Sequence, residues 1–281
     1  ARMVFQEVDE ALGRPLTKLL FSGPADILRE TANAQPAIMS VSLACIKAMD
    51  ELFGKKHEFT PVLMAGHSLG EYTALAVAGV LDIGQTAKLV ETRGKLMQDA
   101  CEKTPGSMAA IIGLDLEILG EIAKETETYV SNINAPNHNV ISGERVAVAN
   151  ALELASARGA RKTVPLRVGG AFHSQLMQPA IKGLEIAVSN LSFKDPKVPI
   201  VANFTGEPMT KAKEIKQELV SQLCGCVRWQ QSIEYMIESG VTEFLELGPG
   251  KTLSSIVKRI DKSAKATSVE NMESIARISY N

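Results

Sequence analysis

Residues 61–81, PVLMAGHSLGEYTALAVAGVL, constrain the fold more than any other stretch of the chain. Val62, Leu63, Met64 and Ala65 form an apolar run too short for a helix, Gly66 follows, and a helical pattern begins at Leu69 or Gly70. A buried strand, a tight turn and a helix in that order make a G-x-S-x-G nucleophile elbow with Ser68 at its apex. Such a turn needs small neighbours so that strand and helix can approach, and Gly66 and Gly70 are expected to meet that need. It also points the Leu69 N–H and the positive end of the helix dipole at the serine's surroundings, where negative charge on an attacked carbonyl would be stabilised. A chance match in a loop is the bland alternative; the strand before and the helix after argue against it.

A serine nucleophile needs a base, and the chain has four histidines. In a sharp elbow adjacent side chains diverge, so His67 is expected to brace the turn. His57 lies in the charged loop Lys55-Lys56-His57-Glu58, and His138 in a connection between two short strands. His173 remains, just after Gly169-Gly170 at a junction between domains, where sites tend to form.

That junction follows from the periodicity. Between residues 104 and 169 the elements are short and regular: strand 108–114, helix 117–127, strand 129–134, strand 139–142, helix 145–158 and strand 161–168. This β-α-β-β-α-β order is the ferredoxin-like pattern. The flanking regions 1–103 and 170–281 alternate longer helices with strands at 198–204 and 242–247 and are expected to share one mostly parallel sheet. Helices are expected at 1–12, closed by Gly13, at 24–30, over QPAIMSVSLACIKAMDELFG, over 83–101 with Asp82 as cap, over 171–191, 213–223 and 227–239, and at 252–260, with a short strand and helix in the tail. Arg93 falls on or beside the apolar face of helix 83–101, among Leu89, Val90, Leu96 and Met97. It either snorkels, pairs with a structural carboxylate, or presents a two-point fork to a substrate carboxylate.

Composition narrows the class. With 45% hydrophobic and 22% charged residues and a net charge of -2, the chain reads as an ordinary globular, cytoplasmic protein with no electrostatic case for nucleic acid or membrane. Cys45, Cys101, Cys224 and Cys226 lack zinc or disulfide-framework spacing and are expected to be free thiols. GPGKT at 248–252 lacks the earlier glycine of a phosphate loop, Leu245 standing in its place, so nucleotide binding is rejected.

GHSLGEY at 66–72, ETRGKLMQ at 91–98, GAFHS at 170–174 and ELGPGKTL at 246–253, with QPA at 35–37 and VRWQQSIEYM at 227–236, resemble in order and spacing the malonyl-CoA:acyl carrier protein transacylases, the acyltransferase family of fatty-acid and polyketide synthesis. The resemblance implies a hydrolase-like α/β domain with a ferredoxin-like α+β insertion. It implies a serine–histidine dyad of Ser68 and His173, Arg93 on the malonyl carboxylate, the Leu69 N–H as oxyanion donor, and the backbone carbonyl of Gln222 on the histidine's other nitrogen. Phe172 would crowd an α-methyl branch. Coenzyme A thioester is then a substrate, no cofactor is bound, acyl carrier protein is the partner, and a monomer is expected. The family begins with a strand and a G-Q-G-S-Q-like loop whose glutamine is a second oxyanion donor. This chain opens at ARMVFQEVDEALG without them or an initiator methionine, so first residues are expected to be missing. Relatives carry proline at the position of Cys226, with little consequence expected. Lys251, Lys258 and Arg259 could offer a basic patch to an acidic partner. The competing readings are a serine esterase or thioesterase, whose acceptor is water, and an inactive carrier-protein binding module.

Overall fold

The computed structural model describes residues 1–53 and 61–278; His57 and the charged loop around it lie outside the described residues. Helices α1 (Arg2–Leu12), α2 (Leu16–Ser22) and α3 (Ala25–Arg29) precede the long α4 (Thr31–Phe53). Gly13 closes α1 in the left-handed region, whereas α2 is an element the sequence pattern did not suggest. The elbow leads into α5 (Leu69–Val77), and α6 (Ile83–Lys103) starts at a capping box in which Asp82 accepts from the Gln85 N–H at 2.6 Å.

Next come β1 (Gly106–Ile112), α7 (Leu116–Glu125), β2 (Tyr129–Ala135), β3 (His138–Glu144), α8 (Arg145–Ala157) and β4 (Lys162–Pro165). The four strands form one antiparallel sheet in the order β2-β3-β1-β4, with α7 and α8 packed through Leu119, Ile122, Val148 and Ala151. The chain returns through a 3₁₀ turn at Gln175–Met177 into α9 (Gln178–Ser189), β5 (Ile200–Val201), β6 (Pro208–Met209), α10 (Ala212–Cys224), α11 (Trp229–Glu238), β7 (Glu243–Leu247), α12 (Thr252–Ile260), β8 (Lys265–Val269) and α13 (Met272–Ile278).

The fold is thus mixed α/β, but the mostly parallel sheet expected of the flanking regions is present among the described residues only in pieces. The elbow strand contributes a parallel bridge from Met64 to Ile200, and β7 pairs with β8 in parallel. The expected strand 198–204 shortens to β5, because Thr205-Gly206 turns the chain back and β6 pairs with β5 antiparallel. Gly206, at φ 75°, permits that reversal. A second bridge, Asn132 to Val227, joins the edge of the antiparallel sheet to the segment before α11.

Two close approaches fix the elbow's surroundings. Gly94 on α6 lies under the first turn of α4; a Cβ there would sit 2.8 Å from Ala32 Cα and from Thr31 O. This contact explains why α4 begins at Thr31, ahead of the expected start at Gln35: packing holds the turn before Pro36 helical although proline lacks a donor. A Cβ on Gly66 would fall 1.9 Å from Gly70 C, so strand and helix meet where only glycine fits. Gly70 is different from what the motif suggested, since a Cβ on it would meet nothing within 4 Å.

The two elbow glycines should therefore respond oppositely to alanine. Gly66→Ala is expected to destabilise by about 1–3 kcal/mol through overpacking. Gly70→Ala should be neutral or stabilising by about 0.5–1 kcal/mol, the helix preference for alanine. Chemical-denaturation midpoints measure both, and equal midpoints would refute the assignment of the close contact to Gly66.

Candidate active site

Ser68 is the residue immediately before α5 and adopts φ 52°, ψ −102°. His173, carried by the segment leading into the 3₁₀ turn, has φ 56°. Both are non-glycine residues in a disfavoured region, the kind of strain that the surrounding packing must hold in place. The strain brings them together: Ser68 Oγ lies 2.8 Å from His173 Nε2. His173 Nδ1 is 2.8 Å from Gln222 O. A carbonyl only accepts, so Nδ1 carries the proton and Nε2 is left as the acceptor for the serine hydroxyl. Burial, reinforced by the nearby Arg93 charge, pushes the His173 pKa down from 6.5 to about 3, and the ring is neutral at physiological pH.

Arg93 on α6 is 1% exposed. Its guanidinium donates to Gln35 Oε1 at 2.5 Å, to Gln222 Oε1 at 2.9 Å and to Ser68 Oγ at 3.0 Å, and lies 5.1 Å over the ring of Tyr72. No carboxylate of the described residues forms an ion pair with it, so a direct structural salt bridge is not what holds Arg93 here. The Leu69 N–H, at the first turn of α5, makes no hydrogen bond among the described residues and is free to donate.

The remaining sequence candidates lie around this centre. His67 turns away from Ser68, its Nε2 2.9 Å from Asn134 Oδ1 and its ring 5.5 Å from that of Trp229. It therefore ties the elbow to β2 and stands apart from the serine's proton. His138 opens β3 and its Nδ1 lies 2.9 Å from Arg259 Nη1. Phe172 is half-buried against the cluster of Met108, Ala110 and Val140, next in sequence to His173. All four cysteines are free. Among the described residues no helix is long and apolar enough to cross a membrane, and no cluster of three or more His, Cys, Asp or Glu could hold a metal ion.

Several polar side chains that the motifs did not single out complete the site. Gln222 acts through its side chain as well as its carbonyl, with Nε2 donating to Glu71 Oε2 at 2.6 Å and to Ser68 O at 3.0 Å. Asn203 accepts from the Ser68 N–H at 2.6 Å. Glu71 and Glu218 are buried carboxyls; burial raises both, and it brings Glu218 to about 6. Glu71 stands inside GHSLGEY and Asn203 interrupts the apolar run Ile200–Phe204, so a polar residue at a position whose neighbours are apolar was the available signal.

A cavity of about 350 Å³ opens beside the elbow, with His67, Leu69, Gly70, Asn134 and Pro249 in its wall. Ser68, His173 and Arg93 are not in that wall; a carbonyl brought to Ser68 Oγ could be attacked there, the serine's proton passing to His173 and the developing oxyanion facing the Leu69 N–H.

Comparison with known proteins gives the same architecture. Residues 2–279 match the family described as acyl transferase domain. The chain is 40% identical over 280 residues to the malonyl CoA-acyl carrier protein transacylase of Bacillus subtilis, covering 98% of this chain and 87% of that protein. The transacylase of the same name from Escherichia coli K12 is 39% identical over 276 residues, with 97% and 88% covered. Among solved structures, the acyl-carrier-protein-S-malonyltransferase of Bartonella henselae is similar at a TM-score of 0.93 and 43% identity, over 99% of this chain and 89% of that one. A malonyl-transacylase in complex with its type II PKS acyl-carrier protein is similar at 0.94 and 38%, over 99% and 91%.

The electrostatics yield a spectroscopic expectation. Histidine NMR should show the His173 ring still neutral at pH 5, its titration displaced far below 6.5 toward about 3. Arg93→Gln removes the second cause of that displacement and should move the titration upward. A ring that titrates near 6.5 in the native protein would contradict the burial and charge described here. The sign for stability follows: the neutral ring contributes fully above 6.5, and the contribution is lost as pH falls toward the folded value.

Proposed function

The chain belongs to the acyl transferase domain family, and on that premise we propose that it moves malonyl from coenzyme A to the phosphopantetheine thiol of acyl carrier protein through an ester on Ser68, in fatty-acid or polyketide synthesis. We further read residues 104–169 as a ferredoxin-like small domain inserted into a hydrolase-like larger one made of 1–103 and 170–281, with the site between them. The antiparallel sheet order and the placement of His173 directly after it support that division.

In the first half-reaction Ser68 Oγ bonds to the thioester carbonyl carbon while His173 Nε2 takes its proton. The oxyanion accepts from the Leu69 N–H; on collapse the C–S bond breaks and the proton goes to the departing thiolate. The second half runs the same steps backward with the carrier thiol as acceptor. The Gln222 carbonyl holds Nδ1–H throughout, so the imidazole is oriented without adding a carboxylate beside an anionic substrate. Phe172, packed beside His173, is read as limiting substituents at the α-carbon. Coenzyme A enters and leaves as part of the substrate, the chain works as a monomer, and the exposed Lys251, Lys258 and Arg259 on and before α12 suit an acidic partner.

The observation that carries this reading is Arg93. A buried guanidinium hydrogen-bonded only to neutral groups, 3.0 Å from the nucleophile, is an unpaired positive charge that a carboxylate can neutralise at the reacting acyl group. Burial depresses the His173 pKa most and the Arg93 charge adds to it, so binding malonate there would offset the second of these causes and strengthen the base. The thioesterase alternative shares the dyad but gives no reason for that charge.

Radiolabelled malonyl-CoA should label the native protein and leave Ser68→Ala unlabelled; label on the variant would refute the serine ester. Label should pass to holo-acyl carrier protein faster than it appears as free malonate, the product a thioesterase would release. Arg93→Ala should reduce malonyl transfer roughly 10- to 100-fold, the loss of a charged hydrogen-bonding group. Acetyl transfer, which needs no guanidinium, should be spared, and an unchanged malonyl-to-acetyl ratio would overturn the assignment.

A further inference from the structure

Asn203 follows β5 and is fully buried. Its side chain spans the elbow from one flank to the other: Oδ1 accepts from the Ser68 N–H at 2.6 Å, and Nδ2 donates to Gly66 O at 2.8 Å. The turn between those two residues is where the backbone leaves its preferred regions, so it is held by a side-chain amide where a sheet ladder would otherwise act.

The direction of that amide is set by the backbone it bridges, since the Ser68 N–H can only donate and the Gly66 carbonyl can only accept. Glu71 Oε1 accepts from the Asn203 main-chain N–H at 2.9 Å and from Nδ2 at 3.2 Å. The NH₂ that faces Gly66 O thus reaches Glu71 as well. The other oxygen of Glu71 accepts from Gln222 Nε2 at 2.6 Å. Gln222 in turn holds Arg93 with its side chain and His173 with its carbonyl. Nucleophile, base and guanidinium are therefore all positioned with respect to one buried carboxylate. Because Asn203 occupies the Ser68 N–H, the oxyanion donor from the elbow is the Leu69 N–H alone.

We propose that Asn203 is a positioning residue that holds Ser68 in its positive-φ elbow conformation, with Glu71 anchoring Asn203 through its main-chain and side-chain N–H groups. The inference rests on acylation of Ser68 as read above. It differs from a packing role in what a near-isosteric change should do. In Asn203→Asp the volume is kept, but an oxygen replaces the NH₂ opposite Gly66 O and Glu71, and the elbow loses one strap to repulsion. Glu71 and Glu218, with Arg93 and His173 further along the network, are the ionisable groups around it. Protonation of the new carboxyl would supply a donor again, so the defect should shrink as pH falls.

Malonyl-CoA labelling of Ser68, normalised to folded protein, is the assay. At pH 8 both Asn203→Asp and Asn203→Ala should lower the acylation rate about 100-fold, the effect of an ångström-scale misplacement, with KM for malonyl-CoA within about threefold of native. At pH 6 Asn203→Asp should recover relative to native at the same pH, while Asn203→Ala should not. An Asn203→Asp rate within threefold of native at pH 8, or a deficit that is the same at both pH values, overturns the proposal. Hydrogen exchange on the native protein guards against variants that fail to fold: the Ser68 amide should be strongly protected, and exchange at an open-loop rate would also overturn it. Failure of the functional reading is distinguishable, because the native protein itself would then take up no label.

Discussion

A guanidinium placed in a protein interior with no carboxylate against it must be solvated by dipoles, and much of this site is organised to solvate Arg93. Gln35 reaches it from α4, Gln222 from α10 and the Tyr72 ring from α5, so three separate elements converge on one charge. That convergence depends on packing as well as chemistry. Gly94, the next residue on α6, lets the first turn of α4 settle close enough for the Gln35 amide to arrive. Glu71 is the nearest compensating carboxyl, and it acts through the Gln222 amide, which accepts from the arginine and donates to the glutamate. The charge is stabilised without being neutralised, which leaves it able to meet an incoming anion.

The same balance explains why the base is available. His173 is held neutral by burial and by its positive neighbour, and its proton is confined to Nδ1 by a carbonyl. A carboxylate in that carbonyl's place would have raised the imidazole's basicity in the free protein but repelled the substrate. Burial is the larger cause of the depressed His173 pKa and the Arg93 charge the second, so an anion beside Arg93 would relieve part of the depression.

Much of this was legible in the sequence. Ser68, His173 and Arg93 could be reached from the elbow motif, from elimination among histidines and from a charge on an apolar helix face; the elements of residues 104–169 could be reached from periodicity. Gln222 came only from family resemblance, since no local pattern marks a residue for its carbonyl. Glu71 and Asn203 were passed over because their partners lie 132 positions apart, a relation that no spacing rule encodes. Gly70 was misread because a motif does not say which of its glycines meets a neighbour, and the strand at 198–204 was overdrawn because apolar Ala202 and Phe204 prolong the run beyond Val201, where β5 ends ahead of the turn at Gly206.

The support of His173 by a main-chain oxygen has a consequence for how the sequence can drift. Any residue at position 222 offers a carbonyl, so the histidine's acceptor is insensitive to mutation there. The side chain is another matter, since it answers to Arg93, Ser68 and Glu71 together. A substitution at position 222 would therefore keep an acceptor for the imidazole while removing contacts to the guanidinium, the elbow backbone and Glu71.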